Sequence, residues 1–160
     1  MKKIFLIIAC AVLFTMCKTK KEAVASAPAA KESNTIQYRD DFRSVTPAKK
    51  AAILKSMDAT GANFSVLIFT QGYIGEKMVV SNSKKLLFGG YLISNKKTGI
   101  ADKLRIDNTL DTKIYDSSDK KELIIDAAEA KKHKFIYVKK AQGKEYPFTV
   151  TYSNTLRPLE

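Results

Sequence analysis

From residue 63 onward, large apolar residues recur mostly at every second position, in short runs separated by polar segments. This alternation predicts β-strands, because successive side chains of a strand point to opposite faces of its sheet. Turn-forming residues interrupt the pattern about every eight to twelve positions. The runs that predict strands are residues 64–70, 77–81, 86–94, 101–106, 112–115, 122–125, 135–138 and 146–152.

Three of these runs carry more specific information. The run Phe64–Thr70 is bulky and apolar at consecutive positions, which is typical of a central strand buried on both faces. Gly89 and Gly90 interrupt the third run and predict a bend or bulge there. The last two runs predict a terminal hairpin, and Pro147 predicts the beginning of a strand or an edge strand.

One helix precedes the strands. Thr46 is a good N-cap, Pro47 suits the first helical position, and Gly61 predicts a left-handed cap at the end. Residues 127–132 also favour helix, but they are too few for more than a single turn. The apolar stripe of the helix is formed by Ile53, Leu54 and Met57.

One short helix followed by eight or nine short strands predicts an all-β fold. We expect residues 38–160 to form a single β-sandwich domain of antiparallel strands. A small closed β-barrel is the alternative. Helices and strands do not alternate along the chain, so βαβ units are not expected.

The N-terminus has a different pattern. Lys2 and Lys3 precede an apolar run from Ile4 to Met16. That run is shorter than the roughly 20 residues that a membrane-spanning helix needs, and it fits the apolar region of a signal peptide over residues 1–16. Residues 18–37 are rich in Ala, Ser and Lys, which predicts a flexible tether.

The end of the apolar run, Leu13-Phe14-Thr15-Met16-Cys17, resembles the cleavage site of a bacterial lipoprotein precursor. The resemblance implies that the leader is cut before Cys17 and that this thiol is acylated. Residues 17–37 would then be a lipidated cysteine and its tether, and two or more acyl chains would make membrane anchoring stable.

The family's sorting rules indicate the destination. Lys18 is not the aspartate that favours the inner membrane, which implies an outer-membrane lipoprotein. Lys18–Glu22 is mostly basic rather than acidic, which favours a periplasm-facing position over the cell surface. Two alternatives stay open: Cys10 as the processed cysteine, or cleavage after Ala25, which would release a soluble secreted protein.

Charge and cysteine content limit the range of functions. The formal charge is +12, and loss of Lys2 and Lys3 with the leader would leave +10. No cysteine follows Cys17, so the domain must be stabilised by an ordinary apolar core rather than by disulfides. A basic surface favours anionic partners, and the exported location favours anionic lipids or glycans over nucleic acid.

Lysine pairs in or beside the turns are the candidate binding residues. If several gathered at one end of the sandwich, they would form a basic patch for an anionic ligand. Alternatively, lysines protect exposed strand edges against pairing with other chains. The candidate patch consists of Lys84, Lys85, Lys96, Lys97, Lys120 and Lys121, and similar pairs occur at residues 131–132 and 139–140.

Catalytic chemistry has little support. His133 is the only histidine and lies among lysines, where we expect a surface position without a metal. The spacings of common nucleophile, zinc and phosphate-binding motifs are absent. Oxygen-rich turns could bind Ca²⁺, but ordinary turn hydrogen bonding is the simpler interpretation of Asp107, Asp111, Asp116 and Asp119.

The sequence therefore predicts a cell-envelope lipoprotein without a cofactor, metal or catalytic site. Its membrane contact would be the lipid at Cys17. Its β-sandwich would bind a protein or an anionic glycan, or would support an envelope assembly. The alternative function is a carboxylate-dependent hydrolase of envelope polymers, because paired carboxylates are the usual catalytic groups of such enzymes.

Overall fold

The computed structural model describes residues 33–159, which form nine strands and two helices. The predicted leader, Cys17 and most of the predicted tether lie outside the described residues. Neither described helix has the length and apolar character needed to cross a lipid bilayer. The elements are β1 (Thr35–Tyr38), α1 (Pro47–Ser56), β2 (Phe64–Phe69), β3 (Ile74–Ser81), β4 (Leu86–Ile93), β5 (Asp102–Asp107), β6 (Thr112–Asp116), β7 (Lys121–Ile125), α2 (Ala127–Ala130), β8 (Phe135–Lys140) and β9 (Phe148–Ser153).

The strands form two separate sheets, with the orders β1-β9-β8-β2-β5 and β4-β3-β6-β7. The predicted all-β sandwich is confirmed, and the closed-barrel alternative is wrong for this part of the chain. Five pairings are antiparallel, but β1 with β9 and β2 with β8 are parallel. The sequence pattern did not predict these parallel pairs, because they join segments far apart in the chain.

Two apolar clusters lie on opposite faces of the five-stranded sheet. The first fills the space between the sheets, where Leu67 and Ile136 meet Met78 and Ile114. The second lies on the outer face of the five-stranded sheet, under α1. Strand β2 contributes to both clusters, so the prediction of a central strand buried on both faces is confirmed. The second cluster contains Val66, Ile68, Phe135, Tyr137 and Leu156, packed against Ile53, Leu54 and Met57.

The structure differs from the predicted elements in three places. Helix α1 has Thr46 as its N-cap and Pro47 at its start, as predicted, but Asp58 rather than Gly61 adopts the left-handed conformation after it, with φ of 51°. Strand β1 begins at Thr35, within the predicted tether, because it pairs with β9. The bend or bulge predicted at Gly89 and Gly90 is wrong, because both lie in regular register with β3 and the irregularities of this strand pair are elsewhere.

The turns lie at two ends of the sandwich. We call the end where β2 passes into β3 the upper end. The β4–β5 and β6–β7 connections lie there too. The pairings that show this are Phe69 with Asp102, Ile74 with Ile93, and Asp116 with Lys121. The opposite, lower end carries the β3–β4 turn and the segment that contains α2.

Candidate functional site

A cavity of about 270 Å³ opens on the outer face of the five-stranded sheet, in a part that α1 does not cover. Its walls are mostly polar. Three are basic side chains, and none of the lining side chains, all within residues 33–159, is acidic. The lining residues are Gln37, Arg39, Phe42, Thr70, Gln71, Tyr137, Lys139, Thr149, Thr151 and Arg157.

The register of three neighbouring strands positions the floor of this cavity. Gln37 of β1 lies beside Thr151 of β9, which lies beside Tyr137 of β8. One step toward the upper end, Thr149 lies beside Lys139. Because side chains alternate along β9, the two threonines face outward while its apolar residues face the core. Hydroxyl, amide and ammonium groups therefore share one surface.

Arg157 forms one wall through aromatic contacts. Its guanidinium carbon lies 4.4 Å from the ring centroid of Tyr137 and 5.1 Å from that of Phe42. The backbone N–H of Arg157 donates to Oη of Tyr137 at 3.0 Å, and this hydroxyl donates to the carbonyl of Thr155 at 2.9 Å. Cation–π attraction therefore holds the guanidinium beside the two rings, and the two hydrogen bonds of the phenol fix the backbone at Arg157.

Tyr137 is a fixed neutral phenol in this arrangement. Burial raises its pKa, and the hydrogen bond and positive charge of Arg157 only partly oppose this effect. The ring is therefore a support for Arg157 rather than an acid or base at ordinary pH. Its buried face is also not open for stacking against a sugar.

The second arginine is paired. Arg39 donates to both carboxylate oxygens of Asp41, at 2.9 Å and 2.8 Å, and its guanidinium lies 5.1 Å from the ring centroid of Phe42. The nearby carboxylate of Asp40 accepts hydrogen bonds from Ser153 and from the backbone N–H groups of residues 154 and 155. The hydrogen bond from Ser153, followed by the one from Asn154, lowers the pKa of Asp40, so it stays ionised.

The remaining two cations have no such partner in the described part of the chain. Neither the ammonium of Lys139 nor the guanidinium of Arg157 forms an ion pair with any residue of the described range. Both line a cavity that also offers hydroxyl and amide groups. The arrangement can therefore bind an anionic group by charge and hydrogen bonds.

The predicted lysine patch is divided by the fold. Lys84 and Lys85 lie in the β3–β4 turn at the lower end. Lys96 and Lys97 follow β4 at the upper end. Lys120 precedes β7 and Lys121 begins it, also at the upper end but at the other edge of the sheet. The six lysines therefore do not form one continuous surface.

Lys140 differs most from its expected surface position. Its side chain is fully buried, and Nζ lies 2.9 Å from Glu76 Oε1, 2.6 Å from Asp116 Oδ2 and 2.7 Å from Asp119 Oδ2. Lys140 belongs to the five-stranded sheet and the carboxylates to the other sheet or its β6–β7 turn. This buried ion cluster joins the two layers at the upper end.

The surroundings of the cluster keep Glu76 and Lys140 charged. Burial by itself would raise the pKa of Glu76, but hydrogen bonds from Lys140, Gln142 and the N–H of Ile74 outweigh it and lower this pKa from 4.5 to about 2. Burial would likewise lower the pKa of Lys140, but its three carboxylate partners raise it. The point where the three carboxylates converge is therefore occupied by the ammonium group of Lys140.

The other candidate residues have structural contacts. Asp107 accepts hydrogen bonds from Thr109, and Asp111 accepts one from the N–H of Ala127. The contacts of Asp107 agree with turn chemistry, whereas that of Asp111 joins the β5–β6 turn to the beginning of α2. The surface position expected for His133 is wrong, since its side chain is only 16% exposed and packs near Tyr152, with a ring-centroid distance of 5.3 Å. Within residues 33–159, no group of three or more histidine, cysteine or acidic residues is arranged to hold a metal ion.

The sequence pattern predicts only part of the cavity. Lys139 belongs to one of the candidate lysine pairs, whereas Arg39 and Arg157 are not among the predicted binding residues. The available signal was Thr149 and Thr151, polar residues alternating with apolar ones in a strand of the hairpin, which indicates an exposed face. In comparisons with known proteins, no family model, curated protein or solved structure matches this chain.

Proposed function

We propose that this protein is a non-catalytic lipoprotein of the cell envelope whose β-sandwich binds an anionic glycan in the cavity beside Arg157. The observation that carries the proposal is a pair of cations, Lys139 and Arg157, that form no ion pair within residues 33–159 and line a cavity with no acidic lining residue. An anionic ligand would supply the missing counter-charges. Charged hydrogen bonds of this kind contribute about 1.5–3 kcal/mol each.

The polar lining favours a sugar over a bare ion. Gln37, Gln71, Thr149 and Thr151 provide both donors and acceptors, which match the hydroxyl groups of a carbohydrate. The cavity is close to the lower limit of about 300 Å³ for ligand pockets, so it suits one acidic residue of a longer polymer. Because Arg157 packs against both Phe42 and Tyr137, recognition would depend on charge and hydrogen bonds more than on ring stacking.

The export signal supports this choice of ligand. A chain cleaved before Cys17 and held in the envelope by its lipid meets acidic glycans and anionic lipid headgroups far more often than nucleic acid. A tether of about 20 residues would give the domain a reach of a few nanometres from the membrane. Lipid anchoring and glycan binding together would connect the outer membrane to an envelope polymer.

Equilibrium titration tests the proposal. We expect the mature protein to bind an oligogalacturonate, to bind a neutral malto-oligosaccharide of the same length at least about tenfold more weakly, and to lose affinity as salt rises. Lys139→Gln should weaken binding of the acidic ligand about tenfold. Arg157→Lys, which keeps the charge but not the planar geometry, should reduce the affinity less than Arg157→Gln.

Matched controls separate this site from general basicity. Lys55 and Lys144 are exposed lysines that do not line the cavity. Their replacement by Gln removes the same charge and should leave the affinity within about twofold, because exposed charges at a distance are screened by salt. Equal losses in the control and cavity variants would mean that the protein binds acidic polymers through net charge alone, which would refute the proposed site.

A further inference from the structure

Strand β4 is a free edge of the four-stranded sheet. Only β3 pairs with it among the described strands, so the opposite side of its backbone faces away from the sheet. Leu86–Ile93 contains no charged residue. A long, apolar, unpaired edge presents backbone donors and acceptors that can pair with another chain.

Exposed apolar side chains are concentrated at this edge. Of the eight large apolar residues that are well exposed in residues 33–159, three belong to β4 and a fourth, Ile74, pairs with its last residue. The other exposed members are spread over β1, β7 and the segment before β9. The exposed fractions at the β4 edge are 75% for Ile74, 64% for Leu86, 72% for Tyr91 and 66% for Ile93.

The other edge strands are protected in the ways that natural sheets use. Strand β5 reads Asp-Lys-Leu-Arg-Ile-Asp and so carries four charges, and β7 begins with Lys121 and Glu122. Strand β1 is only four residues long. Charge and shortness both discourage pairing with foreign strands. Strand β4 has neither protection along its length.

Charge appears instead immediately beyond both ends of β4. Lys84 and Lys85 precede it, Lys96 and Lys97 follow it, and all four are exposed. Both turns are built around an asparagine. Asn82 Oδ1 accepts from the N–H groups of Lys84 and Lys85 at 2.9 Å each, and Asn95 Oδ1 accepts from that of Lys97 at 2.8 Å. The lysine pairs therefore bracket the edge, and the strand between them is about 25 Å long.

This arrangement disfavours a second copy of the chain as the occupant. In an antiparallel β4–β4 pair, Lys84 and Lys85 of one copy would lie opposite Lys96 and Lys97 of the other. In a parallel pair, each lysine pair would face its equivalent. Like charges would meet in both cases, which opposes association.

We propose that β4 binds an extended segment of a partner protein that has an apolar centre and acidic residues at both ends. The segment would add a strand to the sheet, so that backbone hydrogen bonds supply much of the affinity and the lysine pairs select acidic ends. Gly89 is exposed in the middle of β4, and a Cβ there would meet only Leu86 Cδ2, at 3.7 Å. Its missing side chain leaves room for a large residue of the added strand.

A synthetic peptide provides the test. The probe has an alternating valine and threonine centre of strand length, with a pair of glutamates at each end. We expect it to bind the mature protein saturably and to slow hydrogen exchange at amides of Leu86–Ile93. The same centre with lysines at its ends should bind at least about tenfold more weakly.

Variants locate the effect. Lys84→Glu combined with Lys96→Glu should weaken binding of the glutamate peptide about tenfold. The same variant should strengthen binding of the lysine peptide, because the charges at both ends of β4 are reversed. Lys55→Glu combined with Lys144→Glu makes the same change in net charge away from β4 and should alter neither affinity appreciably. The opposite responses of two peptides to one variant cannot arise from partial unfolding.

Three results would overturn the proposal: no binding of the glutamate peptide, binding without protection of β4, or equal effects of the two double variants. Concentration-dependent dimerisation that protects β4 without peptide would identify a second copy as the occupant, again contrary to it. None of these results bears on the glycan cavity, which lies on the other sheet.

Discussion

The ammonium nitrogen of Lys140 lies 2.6 Å from Oδ2 of Asp116, and both side chains are fully shielded from solvent. This ion pair joins the last residue of β8 in one sheet to the last residue of β6 in the other. Glu76 and Asp119 complete the cluster, which places one cation among three carboxylates. The two sheets are therefore joined by this ion cluster at the upper end and by apolar packing at the centre of the sandwich.

Removal of the positive charge of Lys140 should lower the free energy of unfolding. Lys140→Met fits the apolar length of the side chain but leaves three carboxylates together with no positive partner. Loss of one member of a buried ion pair typically costs about 3–5 kcal/mol, which is the loss we expect in the free energy of unfolding measured with urea. Lys139→Met, at the exposed neighbouring position, should change this value by less than about 0.5 kcal/mol. Similar small effects of both variants would show that the cluster does not stabilise the fold.

Glu76 should make stability depend on acid. Its pKa in the folded protein is about 2, below its ordinary value of 4.5. A lowered carboxyl pKa contributes stability above the unfolded-state value, and this contribution is lost as the pH falls toward the folded-state value. We therefore expect about 3 kcal/mol to disappear between about pH 5 and pH 2.

Unfolding measured at several pH values checks this expectation. Glu76→Gln should flatten the decline between pH 5 and 2, whereas Glu145→Gln, at an exposed position, should leave its slope unchanged. An unchanged slope in the Glu76 variant would contradict the assignment of this acid sensitivity to Glu76.

Gly72 should tolerate no side chain. It has φ of +95°, and a Cβ would lie 1.7 Å from the carbonyl oxygen of Lys140. Gly72→Ala must therefore move the β2–β3 turn away from β8, at a cost of about 3 kcal/mol or more in unfolding free energy. Gly143 also has positive φ, at +68°, but its Cβ would meet no atom within 4 Å. Gly143→Ala should cost only about 1 kcal/mol, and equal losses would contradict the close approach at Gly72.

The proposed processing at Cys17 gives a prediction for the N-terminus. Mass spectrometry of the protein from cell membranes should find a chain that begins at Cys17 and carries acyl groups. Cys17→Ser should leave an unprocessed precursor, whereas Cys10→Ser, within the leader, should be processed normally. A mature chain that begins unmodified at Ser26 would instead support a soluble secreted protein.

The sequence predicted those parts of the fold that depend on neighbouring residues. Alternation located eight of the strands, and Thr46 with Pro47 located the start of α1, because these signals act over a few positions. The parallel pairs of β1 with β9 and β2 with β8 were not predicted. They join distant segments, and no local pattern distinguishes a parallel from an antiparallel partner when both lie in a mixed sheet.

The site was less predictable than the fold for the same reason. Lys139 and Lys140 are neighbours in the sequence, but alternation turns one outward to the cavity and the other inward to three carboxylates. Sequence composition presents them as an equivalent pair. Arg39 and Arg157 are far apart in the sequence, near the beginning and the end of the domain. Both line the cavity only because β1 pairs with β9.

The central claim is that an acidic glycan occupies the cavity beside Arg157, and residue-resolved NMR tests it most directly. Titration of the labelled mature protein with an oligogalacturonate should shift the amide signals of Gln37, Lys139, Thr149 and Thr151 in a saturable manner. Lys139→Gln combined with Arg157→Gln should abolish these shifts without altering the signals of the opposite sheet. Shifts spread over all exposed lysines, or confined to residues outside the cavity, would contradict the account.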